Sequence, residues 1–208
     1  MPRRLFLFDD PDRFVTGTVG RPGSRTFFLQ AIQGRRIASV TLEKMQVAAL
    51  ADRLDAILAE LDRRGIVDLA DTSPRGDDDR SLDEPLRDEF RVGTMTISWD
   101  PEADDLVLEA RALTEDDLAD DDEEEDEDGP DLEVTADAAA PDADEDEDAD
   151  DPDGPDLLRV RLTPALALGF TRRAERVISA GRPPCPFCGR PLDAQGHRCA
   201  DRPGSLLN

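Results

Sequence analysis

The sequence predicts an α+β fold in which two strand-strand-strand-helix units form one or two antiparallel sheets, followed by a small zinc-binding hairpin. Three observations favour this class: two groups of short strand-like segments, an amphipathic helical segment after each group, and a late cluster of cysteine and histidine. These patterns divide the chain into an α+β domain over residues 1–180 and a zinc hairpin with a tail over residues 181–208.

The first unit consists of three predicted strands, at residues 14–19, 27–32 and 37–42, with a Gln-Gly-Arg turn at residues 33–35. The spacing of apolar residues then changes to three and four positions, which predicts a helix that ends at Gly65. The apolar face of this helix is formed by Val47, Leu50, Leu54, Ile57, Leu58 and Leu61.

The second unit follows a polar linker at residues 71–84. Its predicted strands are residues 90–99, 106–113 and 157–162, of which the first alternates apolar and polar side chains. A second helix is expected to begin at Thr163, a favoured N-cap residue, with a proline at the first helical position.

A shift of 120 residues superimposes the ends of the two units, which suggests a pseudo-duplicated domain. The alternative is coincidence between two ordinary amphipathic helices. The matched positions are Val40 with Val160, Leu42 with Leu162, Leu50 with Phe170, Arg53 with Arg173, Ile57 with Val177 and Leu58 with Ile178.

An acidic insert interrupts the second unit at residues 115–156. It contains 25 Asp or Glu residues and no Lys or Arg, so the rest of the chain carries 25 acidic against 25 basic residues. A segment of this composition cannot bury enough apolar surface to offset chain entropy, so we expect a disordered, solvating loop. The alternatives are a surface for a basic partner and a mimic of nucleic acid.

The three cysteines and the only histidine form two close pairs, Cys185 with Cys188 and His197 with Cys199. Three thiolates and one imidazole fill the four positions of a tetrahedral zinc ion, which predicts one structural zinc without a site for an activated water. A redox-active Cys-x-x-Cys pair or three unrelated thiols are the alternatives. A water or an outside group could replace His197 as the fourth ligand, because only one residue separates it from Cys199, which is tighter than the usual zinc-finger spacing.

The sequence contains no motif that predicts an enzyme. A second histidine, a phosphate-binding Gly-x-x-x-x-Gly-Lys loop and a Gly-x-Ser-x-Gly turn are all missing. Asp9, Asp10 and Asp12 could bind a metal or pair with arginine, but a turn explains their composition better.

Nucleic-acid binding is an alternative function, because residues 157–208 contain nine Arg and only three acidic residues. Arg172 and Arg176 lie one turn apart on the predicted helix, and Arg190 and Arg198 lie in the zinc hairpin, so these four could contact phosphates. A solvated helix face explains the same arginines without a partner, and aromatic residues for base stacking are scarce.

The cytoplasm is the expected location. The apolar run at residues 5–8 is too short for a secretory signal, and no segment approaches the length of a transmembrane helix, so we expect no membrane partner.

Residues 5–14, the Leu-Thr-Pro start of the second helix at 162–164, and residues 181–189 through Cys199 together resemble an uncharacterised actinobacterial domain-of-unknown-function family with a CxxC…HxC zinc motif. The resemblance implies the four zinc ligands already named. This chain differs from the family pattern after Cys199. It also implies, through neighbouring genes, a partnership with a kinase-like or a phosphatase-like protein. The expected function is therefore a non-catalytic zinc-binding interaction or adaptor module, with an accessory subunit of such an enzyme as an alternative.

Overall fold

A computed structural model describes residues 3–21, 23–114, 117 and 154–180. These residues form seven strands and two helices. In chain order they are β1 Leu5–Phe8, β2 Arg13–Arg21, β3 Ser24–Gln33, β4 Arg36–Leu42, α1 Lys44–Arg63, β5 Asp88–Asp100, β6 Asp105–Ala112, β7 Leu157–Leu162 and α2 Pro164–Ser179. The α+β class is confirmed, together with the six predicted strands and both helices.

All seven strands join one sheet in the order β1-β7-β6-β5-β4-β3-β2. The expectation of purely antiparallel pairing was wrong, because β4 pairs with β5 in parallel and β1 pairs with β7 in parallel. Strand β1 was also not predicted. It is only four residues long, and its partner lies about 150 residues away in sequence, at Leu157 to Val160.

The two edge strands of the sheet, β1 and β2, are neighbours in sequence, which requires the sheet to be strongly curled. Only residues 9–12 separate β1 from β2, and such a link spans at most about 18 Å. A flat sheet would hold these edges about 29 Å apart. The curl brings the start of β4 to β1, where Arg36 donates a hydrogen bond to the carbonyl oxygen of Leu7 at 2.8 Å.

Both helices belong to one hydrophobic core that covers a single face of the sheet. In this core Phe14 of β2 contacts Phe170 of α2, with 5.0 Å between the ring centroids. The helix ends agree with the sequence analysis: the hydroxyl of Thr163 accepts a hydrogen bond from the backbone of Leu166, and Gly65 follows α1 with a φ of +69°. Strands β2 to β4 with α1, and strands β5 to β7 with α2, each run strand, strand, strand, helix, while the origin of these two units by duplication stays a prediction.

The connection from α1 to β5 contains a segment, residues 75–83, that we call the strap. It begins beside α2, where the backbone N–H of Arg75 donates to the carbonyl of Ala165 at 2.7 Å. It ends on the opposite face of the sheet, because Leu82 lies against Gly17, and Gly17 points away from the face that carries Phe14. The strap therefore passes around the outer edge of β2.

Gly169 lets the strap approach α2 closely. A Cβ atom at this position would overlap the backbone carbonyl oxygen of Arg75. A Gly→Ala change inside a helix ordinarily stabilises by about 1 kcal/mol. We expect Gly169→Ala to destabilise the chain by about 1–3 kcal/mol instead, because backbone atoms of the strap must shift. Urea unfolding measures this, and Glu175→Ala on the exposed face of α2 is the control. A stability at or above that of the wild type would contradict the close contact.

Candidate functional site

The four predicted zinc ligands, Cys185, Cys188, His197 and Cys199, lie outside the described residues. The description ends at Ala180, the C-cap of α2, whose carbonyl oxygen accepts a hydrogen bond from Arg25 at 2.9 Å. The segment with the predicted ligands therefore follows a helix end that is tied to the start of β3.

In the described part of the chain, no group of three or more His, Cys, Asp or Glu side chains could hold a metal ion. Within the N-terminal acidic group, the carboxylate of Asp12 accepts a hydrogen bond from the backbone of Gly34 at 2.6 Å. Asp9 lies 3.8 Å from Arg161. Asp9 therefore lies beside an arginine, which the sequence analysis gave as an alternative, while the turn preferred for Asp9, Asp10 and Asp12 stays a prediction.

The predicted basic stripe of α2 is only partly available to a ligand. Arg172 is exposed, as expected. Arg176 is engaged by the strap, with its guanidinium 2.5 Å from the carboxylate of Asp77 and 3.7 Å from that of Asp79. Arg190 and Arg198 lie outside the described residues. Within the described part of the chain, only Arg172 and Arg176 of the four predicted arginines can be located, and Arg176 is already paired.

Two buried arginines and one aspartate of the strap, Arg13, Arg173 and Asp78, form a polar cluster that we call the buried arginine cluster. Arg13 is 3% exposed and Arg173 is 6% exposed. Arg13 donates to the Asp78 carboxylate at 2.8 Å from the sheet, and Arg173 donates to the same carboxylate at 3.0 Å from α2. One aspartate of the strap thus joins a strand and a helix.

Backbone carbonyls accept the remaining hydrogen bonds of Arg173. Its Nε donates to the carbonyl of Thr16 at 2.7 Å, and its terminal nitrogens donate to the carbonyls of Asp78 and of Arg80, the latter at 2.8 Å. Thr16 lies on the edge strand β2. Its carbonyl oxygen could otherwise accept a hydrogen bond from another strand, and the guanidinium of Arg173 takes this place. Arg173 therefore both fixes the strap and covers this edge.

A buried amide fixes the far end of the strap. Gln30 of β3 is fully buried, and its side chain accepts from the backbone N–H of Asp83 at 2.8 Å while donating to the carbonyl of Asp83 at 3.0 Å. It also donates to the hydroxyl of Ser39 at 3.0 Å. These groups satisfy one another, so the arrangement is suited to holding the strap rather than to reacting with a substrate.

The electrostatics of the cluster favour ionised Asp78. Burial alone would raise the pKa of Asp78, but hydrogen bonds from Arg13 and Arg80 and the charge of Arg13 hold this pKa far below its usual value. Burial lowers the pKa of Arg173, and the positive charge of Arg13 acts in the same direction. Asp78 thus balances the charge of both buried cations, and Asp83 also pairs with Arg13 at 2.5 Å.

This arrangement predicts a specific loss of stability in acid. Because the pKa of Asp78 is depressed in the folded chain, its stabilising contribution is present above the ordinary aspartate pKa of about 3.9 and is lost as the pH falls below it. We expect Asp78→Asn to be less stable than the wild type at neutral pH and to lose less stability between about pH 4 and pH 2. Denaturation at several pH values tests this, with exposed Asp52→Asn as the control. Parallel pH profiles for wild type and Asp78→Asn would contradict the assignment.

The sequence analysis did not single out Arg13, Asp78 or Arg173. A signal was present at Arg173, which lies three residues after Phe170 and four before Val177. This spacing places a charged side chain on the apolar face of the helix. An arginine at such a position predicts a buried ion pair.

A separate cavity of about 410 Å³ lies at the N-terminus of α1, and we call it the α1 pocket. It opens at the end of the sheet at which α2 also ends, since Arg25 belongs to both places. The pocket is lined by Arg25, Thr26, Phe27, Thr41, Leu42, Glu43, Lys44, Asp88 and Arg91. None of these residues was predicted as a site from the sequence.

The fold and these contacts define an α+β protein with one curled mixed sheet, two packed helices and a strap held by buried arginines. Residues 6–199 match the family model described as "Protein of unknown function (DUF3090)", and the chain belongs to this family. The resemblance noted from the sequence is thereby confirmed at the level of a family of unknown function. The comparisons with curated proteins and with solved structures returned no match. Among the described helices, none is both long and apolar enough to cross a membrane.

Proposed function

We propose that this chain is a non-catalytic, cytoplasmic zinc-binding protein that works as an interaction or adaptor module. One structural zinc ion would be held by Cys185, Cys188, His197 and Cys199 in a small C-terminal hairpin. Four protein ligands leave no open position for an activated water, so the metal would stabilise a surface rather than perform a reaction.

The observation that carries this proposal is the ligand set. Two close pairs of thiolate and imidazole ligands, with eight residues between the pairs, suit a tetrahedral ion in a single short hairpin. The position of the segment supports an interaction role. It follows the end of α2, which Arg25 ties to the sheet, so a zinc hairpin there would be presented from a fixed point on the domain.

The described contacts favour a scaffold over an enzyme. The charged side chains that converge at the strap are paired: Arg13 and Arg173 are buried, and both form ion pairs with Asp78. Within this proposal the two strand-strand-strand-helix halves derive from a duplicated unit that forms a rigid support.

Two further candidates follow from the sequence. The chain could act as an accessory subunit of a kinase-like or phosphatase-like enzyme, which the family resemblance implies. Nucleic-acid binding through Arg172, Arg176, Arg190 and Arg198 is less well supported, because Arg176 already pairs with Asp77 and Asp79.

The experiment is zinc-dependent co-purification with the kinase-like and phosphatase-like candidate partners. We expect the full-length chain to retain a partner, Cys188→Ser to lose it, and Gln195→Ala, a non-ligand change in the same segment, to keep it. Equal retention by Cys188→Ser would contradict the zinc-dependent adaptor role. Recovery of nucleic acid in place of a protein, with loss in Arg172→Glu, would favour the alternative instead.

A further inference from the structure

We propose that the strap guards β2 against pairing with the β2 strand of a second copy of this chain, so that release of the strap joins two copies edge to edge. The guarded edge is a surface separate from the predicted zinc segment. Three features support it: the peptide groups that β2 directs outward, the contacts that cover them, and the composition of the strand.

Strand β2 directs alternate peptide groups away from the sheet. It lies at one edge, where it pairs with β3 in an antiparallel register that sets Thr16 opposite Leu29. In such a pair every second residue turns its N–H and C=O groups to the free edge. The carbonyl of Thr16 points there, because Arg173 of α2 donates to it at 2.7 Å. Phe14 and Thr18, two residues to either side, therefore direct their peptide groups the same way.

The strap and Arg173 together cover the first half of this edge. Gly76 of the strap lies against Phe14, since a Cβ atom on this glycine would be 3.6 Å from the carbonyl oxygen of Phe14. The φ of Gly76 is +76°, a left-handed conformation that glycine adopts without strain where the strap turns. Arg173 takes the next outward carbonyl, that of Thr16. The rest of β2 lies beyond these contacts, and Val19 is 49% exposed.

The sequence of β2 does not itself protect this edge. Exposed edge strands are commonly protected by a charge, a proline, a bulge or a very short length. Residues 14–20 contain no charged residue and no proline, and β2 is nine residues long. The other edge strand, β1, is four residues long, and its Leu7 carbonyl accepts a hydrogen bond from Arg36. Strand β2 is therefore the edge that depends on the strap.

A second copy of the chain presents the complementary edge. Two β2 strands that run antiparallel about Thr16 would place Phe14 of each copy opposite Thr18 of the other, so that their outward N–H and C=O groups pair. Aromatic and β-branched side chains form favourable cross-strand pairs, and the uncharged residues 14–20 add no repulsion. Because each copy has one such edge, association would stop at a two-fold dimer.

The experiment measures the molar mass of the full-length chain by light scattering after gel filtration, over a range of protein concentrations. Arg173→Leu uncovers the carbonyl of Thr16 and loosens the strap, so we expect its mass to reach twice that of the wild type as the concentration rises. Leu54→Ala, the matched control, removes a buried side chain of α1 and lowers stability comparably, but it leaves the strap in place. It should keep the mass of the wild type.

Asp78→Asn loosens the strap while every apolar side chain of the core remains, and it decides the matter if Arg173→Leu does not fold. We expect its mass also to shift towards twice the wild-type value at the highest concentrations. Circular dichroism establishes that each variant is folded.

Thr18→Pro distinguishes strand pairing from non-specific aggregation. The N–H of Thr18 points to the free edge, so proline removes no hydrogen bond between β2 and β3. Combined with Arg173→Leu or Asp78→Asn, it should return the mass to the wild-type value. A wild-type mass in the folded strap variants, or a raised mass that Thr18→Pro leaves unchanged, would overturn the proposal.

Discussion

Replacing Arg173 with leucine is expected to lower the free energy of unfolding by about 3–5 kcal/mol. The change removes the donor for the carbonyls of Thr16 and Arg80 and one of the cations around Asp78. Buried acceptors that lose their partner carry the full cost of desolvation, about 1–3 kcal/mol each. Because the same side chain joins α2, β2 and the strap, the loss should appear as one cooperative shift in chemical denaturation.

Arg172→Leu is the matched control for this prediction. It makes the same change one residue earlier, at an exposed position of α2, and should alter stability by no more than about 0.5 kcal/mol. Equal stabilities for the two variants would show that the cluster does not hold the strap. A selective rise in hydrogen exchange over residues 75–83 in Arg173→Leu would locate the effect at the strap itself.

Loss of zinc is the second large expected effect, and it should be confined to the C-terminal segment. Zinc binding by short segments of this kind contributes about 10–16 kcal/mol in apparent terms, so Cys185→Ser or Cys199→Ser should unfold the hairpin over residues 181–208. The α+β core should stay folded, because the side chains of the described core, from Phe8 to Ala174, already pack against one another. Hydrogen exchange that resolves the two parts separately would measure this.

A cooperative unfolding of the whole chain on zinc removal would contradict this division into two parts. The same experiment with Gln195→Ala should match the wild type in both parts. A chelator added to the wild-type chain should reproduce the serine variants, because the metal and not the thiol itself supplies the stability.

Local patterns in the sequence were sufficient for most of the fold. Strands β2 to β7 follow from alternation and residue type, and both helices follow from the three- and four-residue spacing of apolar side chains. The capped start at Thr163 and the end of α1 before Gly65 were also predicted, because they depend on a few adjacent residues.

The parts that were not predicted depend on contacts between residues distant in sequence. Strand β1 exists because Leu5 to Phe8 pair with a strand about 150 residues later, which no local pattern indicates. The parallel pair of β4 and β5 depends on the long connection between them, which passes α2 and the edge of β2.

The polar sites also differ in whether their residues lie close together in sequence or are brought together only by the fold. The candidate zinc ligands could be proposed because all four lie within fifteen residues. Arg13, Asp78 and Arg173 are brought together only by the fold, since Arg13 and Arg173 are 160 residues apart. The α1 pocket likewise combines side chains from β3, β4, α1 and β5.

The zinc content of the purified full-length chain tests the central claim most directly. By elemental analysis we expect about one zinc per chain in the wild type and in Gln195→Ala, and almost none in Cys188→Ser. His197→Gln should lower zinc affinity strongly if the imidazole is the fourth ligand. A wild-type chain purified without chelator that holds no zinc and takes up none on addition would contradict the account.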